Sequence, residues 1–173
     1  MSSIPMSSPD LTAAEIDAVN EVIATPILSI GPRLVAFEEA IAAFSGCAHG
    51  VGVNSGTSGL HLAVIAAGVG SGDYVLTTPF SFIASANCIL YERAVPVFVD
   101  VDRTTGNIDP ALVDAAADDL MRGGAAAQRW LPPALRDAPA SGQLRAILPV
   151  DAFGQPADFD PILAAARRHG LVV

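Results

Sequence analysis

From Tyr74 onward the chain repeats one pattern: four or five apolar residues, a short loop of small or polar ones, then an apolar helical run. Segments 74–77, 95–99 and 146–150 are apolar at nearly every position, not at every second one, and 50–53 reads the same way. Such strands are buried on both faces, and parallel neighbours need a helical crossover between them. The intervening runs supply it, with helices expected over 57–69, from Pro79 to about Glu92, from Asp109-Pro110 to about Leu120, and over 158–169. The expected fold class is α/β, a three-layer α/β/α arrangement around a mainly parallel sheet. Leu171, Val172 and Val173 begin one more strand. A chain that stops inside a buried strand is expected to be the first part of a longer protein.

Two helices precede this pattern. Thr12 and Glu15 form a capping box, Ile16, Val19 and Ile23 follow at helical spacing, and Pro26 ends the run. Gly31-Pro32 opens the second helix, whose stripe is Leu34, Phe37, Ile41 and Phe44, with Gly46 as its left-handed terminus. Residues 1–30 are therefore expected to form an N-terminal helix and linker, and 31–173 the body of the α/β domain. Segment 121–144, rich in Ala, Pro, Gly and Arg and holding Trp130, interrupts the rhythm as an inserted loop with one helical turn.

Composition narrows the function classes. Hydrophobic residues make up 51% of the chain and charged ones 16%, which suits a doubly covered sheet or a chain that buries surface against something else. The uncharged runs 50–72 and 74–91 are too interrupted by Gly, Pro, Asn, Ser and Thr to span a membrane. Residues 1–9 lack the basic and apolar regions of a signal peptide, so a cytoplasmic location is expected. A net charge of −9 disfavours nucleic acid as a partner. Cys47 and Cys88 stand apart in apolar surroundings and read as buried thiols. All nine basic residues are Arg, so no mechanism can draw on a lysine amine of these residues.

The candidate site centres on Asn54-Ser55-Gly56-Thr57-Ser58-Gly59. A small polar turn opening an apolar helix offers unpartnered N–H groups and the positive end of the helix dipole, an anion site. The same pattern also serves as a plain capped turn. A triphosphate P-loop is excluded, since its lysine is missing. The Gly50-x-Gly52 pair precedes the turn instead of following the strand, so a dinucleotide fingerprint is misplaced. After the next strand comes Thr77-Thr78-Pro79-Phe80-Ser81-Phe82, where Phe82 either stacks on a flat ligand ring or fills the core. Asp100 and Asp102 read as turn acids in preference to metal ligands, and His49, His61 and His169 as structural or surface residues. The loop Asp151-Ala152-Phe153-Gly154-Gln155-Pro156 is a further source of polar contacts at the same strand ends.

Several of these pieces stand together in a known order. Val53-Asn54-Ser55-Gly56-Thr57-Ser58-Gly59-Leu60-His61-Leu62, Gly72-Asp73-Tyr74-Val75, Pro79-Phe80-Ser81-Phe82-Ile83-Ala84-Ser85-Ala86-Asn87, Asn107-Ile108-Asp109 and Phe153-Gly154-Gln155-Pro156-Ala157-Asp158 carry the comparison. In content and spacing the chain resembles the DegT/StrS-type nucleotide-sugar aminotransferases, fold-type I enzymes that use pyridoxal 5′-phosphate. The resemblance implies that residues 31–173 are the N-terminal part of an incomplete cofactor-binding large domain. It implies that Gly56, Thr57 and Ser58 hold the cofactor phosphate, that Phe82 stacks on its ring, and that Gln155 lies near the site. It further implies a keto-sugar nucleotide substrate, an amino donor such as glutamate, a homodimer when complete, and a place in amino-sugar, polysaccharide or antibiotic biosynthesis. A dehydratase relative using the same cofactor is an alternative, and so is a non-catalytic α/β protein that binds a phosphate ligand or a partner. Three departures stand out. The family's ring-nitrogen Asp and covalent Lys are not in this chain, the 121–144 segment is longer than usual, and Asp151 stands where many members carry His.

Overall fold

In the computed structural model, residues 4–5, 7–136 and 142–173 are described. The chain forms two compact units, Met1–Val53 and Asn54–Val173.

The first unit holds α1 (Ala13–Ile23) and α2 (Pro32–Ser45). Both begin as their sequences direct. Glu15 Oε2 accepts the N–H of Thr12 at 2.6 Å, and Thr12 Oγ1 accepts that of Ala14 at 3.2 Å. Pro32 opens α2, and Gly46 ends it at φ 68°. Local chemistry makes these helices, but it does not bury them: α1 buries no residue and α2 only Ala42. Segment 50–53, expected as a strand, is not one. It packs on α2 instead, where the N–H of Gly52 donates to Glu38 Oε1 at 2.7 Å. A Cβ on Gly50 would lie 2.5 Å from the Glu38 carbonyl oxygen, so glycine is what permits this approach. Cys47 is exposed there, contrary to expectation, while Cys88 is buried; only Cys88 lies under the sheet. Burial pushes the Cys88 thiol up from its ordinary range.

The second unit is built on β1 (Tyr74–Thr77), β2 (Val95–Phe98) and β3 (Leu144–Leu148), all parallel in the order β2-β1-β3. Central β1 is buried at all four positions. The period-two geometry of a strand sends its side chains alternately to two helical layers. Tyr74 and Leu76 pack with Val113, Ala117, Ile162 and Ala166 of α5 (Pro110–Arg122) and α7 (Phe159–His169). Val75 packs with Val64, Cys88 and Ile89 of α3 (Gly56–Ala66) and α4 (Ala84–Tyr91). The unit is therefore the three-layer α/β/α sandwich that the apolar strands imply. No helix among the described residues is long and apolar enough to cross a membrane.

Boundaries differ from expectation in places. Helix α4 begins five residues after Pro79, because the Thr78 hydroxyl accepts the N–H of Phe80 at 3.1 Å and turns the chain first. Strand β3 starts and stops two residues earlier than expected, pairing Leu144 with Tyr74. Residues 171–173 contribute a single parallel bridge, Val172 to Ala146. The described part of segment 121–144 is more ordered than a loop. Helix α6 (Gly124–Gln128) and a 3₁₀ turn (Pro133–Leu135) occupy it, while 137–141 lie outside the described residues. Trp130 Nε1 donates to Asp119 Oδ2 at 2.9 Å, and Arg129 pairs with the same carboxylate. The Trp130 indole N–H, despite the cost of desolvation, holds the Asp119 carboxyl below its ordinary range, with Arg129 and Arg122 adding to it.

Helix α5 tests how much one cap contributes. Asp109 Oδ1 accepts the N–H groups of Ala111 at 2.8 Å and Leu112 at 3.4 Å. Asp109→Ala is expected to lower stability by about 1 kcal/mol, measured by urea denaturation. Replacement by Ser or Asn, which cap equally well, should recover most of it.

Candidate functional site

Three loops meet at the C-terminal edge of the sheet, where parallel α/β folds hold their ligands. They are the start of α3, the link from β1 to α4, and the segment after β3. Between them lies a cleft of about 880 Å³ lined by Gly56, Thr57, Phe80, Phe82, Asp151 and Phe153 among others.

The floor is the N-terminus of α3. Ser55 caps it, its Oγ accepting the N–H of Ser58 at 3.2 Å, and its carbonyl accepts that of Gly59 at 3.1 Å. By helix geometry the N–H groups of Gly56 and Thr57 have no intrahelical partner, and both residues line the cleft. A Cβ on Gly56 would meet nothing within 4 Å, so there is open space above the helix end. The first turn of α3 carries no acid to oppose the positive end of the dipole. Ser58 is placed otherwise: its hydroxyl donates to Asn54 Oδ1 at 2.7 Å and lies 3.0 Å from the Ser55 hydroxyl.

The walls are aromatic. Phe82 is 77% exposed and lines the cleft, so it is not a core residue. Phe80 and Phe153 meet edge-to-face, ring centroids 5.9 Å apart at 63°. Gln155 is exposed in the same loop as Phe153, and its backbone carbonyl accepts a hydrogen bond from Asn107. Asp151 is the one charged side chain among the described lining residues, and its Oδ1 accepts the N–H of Ala157 at 2.9 Å. Ser81 and Ser85, also lining, share a hydrogen bond of 2.7 Å. A cleft of this make-up, mostly apolar with open helix N–H groups at one end, has the chemistry to take a flat ring that carries an anionic group.

Other candidates settle elsewhere. Asp102 Oδ1 accepts the N–H groups of Thr104 at 2.9 Å and Thr105 at 3.0 Å, as a turn acid does, and these bonds hold its carboxyl below the ordinary range. His61 Nε2 lies 2.6 Å from Glu92 Oε1 on the helical layer. Asn107, part of the Asn107-Ile108-Asp109 motif, has a role that no sequence pattern showed. It is buried behind the 151–156 loop. Locally it is only a turn residue ahead of a helix cap, and its partners lie 45 to 49 positions away.

The sequence profile of the DegT/DnrJ/EryC1/StrS aminotransferase family matches residues 9–173. The chain is 39% identical to the spore coat polysaccharide biosynthesis protein SpsC of Bacillus subtilis, over 98% of this chain and 38% of that protein. It is 38% identical to the GDP-perosamine synthase of Caulobacter vibrioides, over 100% of this chain and 42% of that one. Among solved structures, a DegT/DnrJ/EryC1/StrS aminotransferase from Brucella abortus superposes with a TM-score of 0.77 at 30% identity, covering 91% of this chain and 38% of the other. DesV of S. venezuelae, solved with a ketimine intermediate, superposes at 0.73 and 33% identity, covering 92% and 38%. The chain thus spans well under half the length of these relatives.

Proposed function

The chain belongs to the DegT/DnrJ/EryC1/StrS aminotransferase family, and on that premise we propose that its second unit is the phosphate- and ring-binding part of a pyridoxal 5′-phosphate site. The observation that carries this is the open N-terminus of α3 facing exposed aromatic walls in one cleft. Gly56 and Thr57 present backbone N–H groups to the phosphate, whose charge the helix dipole stabilises. Ser58 supports them indirectly, by fixing Asn54 and Ser55. Phe82 supplies a face for the pyridine ring, and the loop that carries Phe153 and Gln155 flanks the same cleft.

When bound, pyridoxal phosphate supplies an electron sink for a substrate carbanion. These residues bind and orient; with no lysine among them, they give no amine to hold the cofactor covalently or to move a proton at the substrate carbon. The complete activity we assign is amino transfer to a keto-sugar nucleotide, from a donor such as glutamate, by a cytoplasmic homodimer. Assembly is supported by the apolar side chains left uncovered in the first unit, Phe44 at 90% exposure among them. A second reading, in which the chain binds a phosphate ligand or a partner without catalysis, draws on the same open helix end and on the exposed apolar side chains.

Titration of the 173-residue chain with pyridoxal 5′-phosphate tests the site. Saturable binding is expected, displaced by inorganic phosphate. Borohydride reduction should leave no pyridoxyl group on any side chain. Absence of saturable binding would overturn the site reading, and a side-chain adduct would overturn the non-covalent one. Amino transfer to a nucleotide-linked keto-sugar by a longer polypeptide containing this sequence separates the enzymatic reading from the binding one.

A further inference from the structure

The cleft wall formed by residues 151–156 is held from behind by one side chain. Asn107 is 2% exposed. Its Oδ1 accepts the N–H of Ala152 at 2.9 Å, and its Nδ2 donates to the carbonyls of Gln155 at 2.8 Å and Pro156 at 3.0 Å. One carboxamide thus ties both ends of the loop, using its acceptor and its donors at once.

Between those ends Phe153 stands at φ 54°, ψ 26°, a left-handed conformation that persists in a non-glycine residue only where its surroundings fix it. Its ring is 97% exposed. Folding gains almost nothing from that ring, so neither its burial nor its backbone preference accounts for its position. The turn that carries Asn107 touches the second ring as well: a Cβ on Gly106 would lie 3.5 Å from Phe80 Cε1. One turn therefore stands behind both members of the Phe80–Phe153 pair.

We infer that Asn107 is a positioning residue of the cleft. By clamping the 152–156 backbone it holds Phe153 in its strained conformation and fixes the aromatic wall beside which the ring of a phosphorylated aromatic ligand lies. The inference rests on the pyridoxal phosphate reading above.

The test uses the 173-residue chain as wild type, Asn107→Ser and Phe153→Ala, with two probes. Inorganic phosphate reports the α3 terminus alone; pyridoxal 5′-phosphate adds the ring. Asn107→Ser should keep its phosphate affinity and lose about tenfold in pyridoxal phosphate affinity, the loss expected when buried hydrogen bonds stop holding a wall. Amide exchange at 152–156 should quicken while that of the sheet does not. Phe153→Ala, at an exposed position, should fold normally and reproduce the selective loss. Wild-type behaviour of Asn107→Ser with both probes would overturn the inference. So would equal losses for both probes alongside faster exchange in the sheet, or an unchanged pyridoxal phosphate affinity in Phe153→Ala. A wild-type chain that binds pyridoxal phosphate no better than phosphate would overturn the cofactor reading instead, and the inference with it.

Discussion

Asp73→Ala is expected to cost the fold about 2 kcal/mol, since it removes the carboxylate that two backbone donors in part-buried hydrogen bonds share, each such bond contributing about 1 kcal/mol. Asp73 is 8% exposed at the entrance to β1. Oδ2 accepts the N–H of Gly70 at 3.1 Å and Arg145 Nε at 3.3 Å; Oδ1 accepts the N–H of Gln143 at 2.9 Å. One side chain thus closes the turn before β1 and joins it to β3. Burial alone would raise its pKa. The N–H groups of Gln143 and Gly70, with the Arg145 guanidinium, outweigh burial and hold the carboxyl below the ordinary aspartate range. A group whose folded pKa is depressed binds its proton more readily in the unfolded chain. Its contribution is therefore fully present above the unfolded value, near 4, and disappears as pH falls through the folded one. The stability gap between wild type and Asp73→Ala, from denaturant titrations, should be constant from pH 7 to about 5 and shrink below about pH 4. A gap that widens in acid would contradict the assignment. The difference between the proteins is the useful quantity, because Glu15, Asp102 and Asp119 also have lowered pKa values and make the wild type acid-sensitive by themselves.

Gly56→Val is expected to weaken pyridoxal 5′-phosphate binding on the order of a hundredfold while leaving the fold intact. Gly56 is the first residue of α3, and a Cβ there meets nothing within 4 Å. Its backbone is not in the left-handed region, so a side chain is tolerated. Loss of glycine's freedom in the unfolded chain even favours the variant by roughly 0.4–1 kcal/mol. The added methyl groups would occupy the space where a phosphate must approach the helix end. Losing two charge-assisted N–H bonds, about 1.5 kcal/mol each at least, corresponds to the stated factor. Calorimetric titration measures the affinity and thermal unfolding the stability. Undiminished binding would show that the phosphate lies elsewhere. Loss of binding together with loss of fold would show that the open space has a structural purpose.

What could be read from the chain alone follows the range of the interactions involved. Thr12 with Glu15, Gly31-Pro32, Gly46 and Asp109-Pro110 marked helix ends because caps act within three or four residues. Unbroken apolar runs at 74–77 and 95–99 marked strands covered on both sides, and with them the α/β class, because a strand's two faces are written in consecutive residues. The positions of Gly56 and Thr57 at the head of α3 were legible for the same reason. Segment 50–53 misled because strand character needs a neighbour to pair with, and here α2 takes its place against Glu38. Only the tertiary structure decided that Phe82 is exposed at a cleft and not buried, that the Ser58 hydroxyl turns to Asn54, and that Asp73 and Asn107 each tie together segments 45 to 72 residues apart. Hydrogen bonds of that reach leave no periodicity in a sequence: a buried carboxylate and a buried carboxamide look like any polar turn residues until the backbone groups they satisfy are brought beside them.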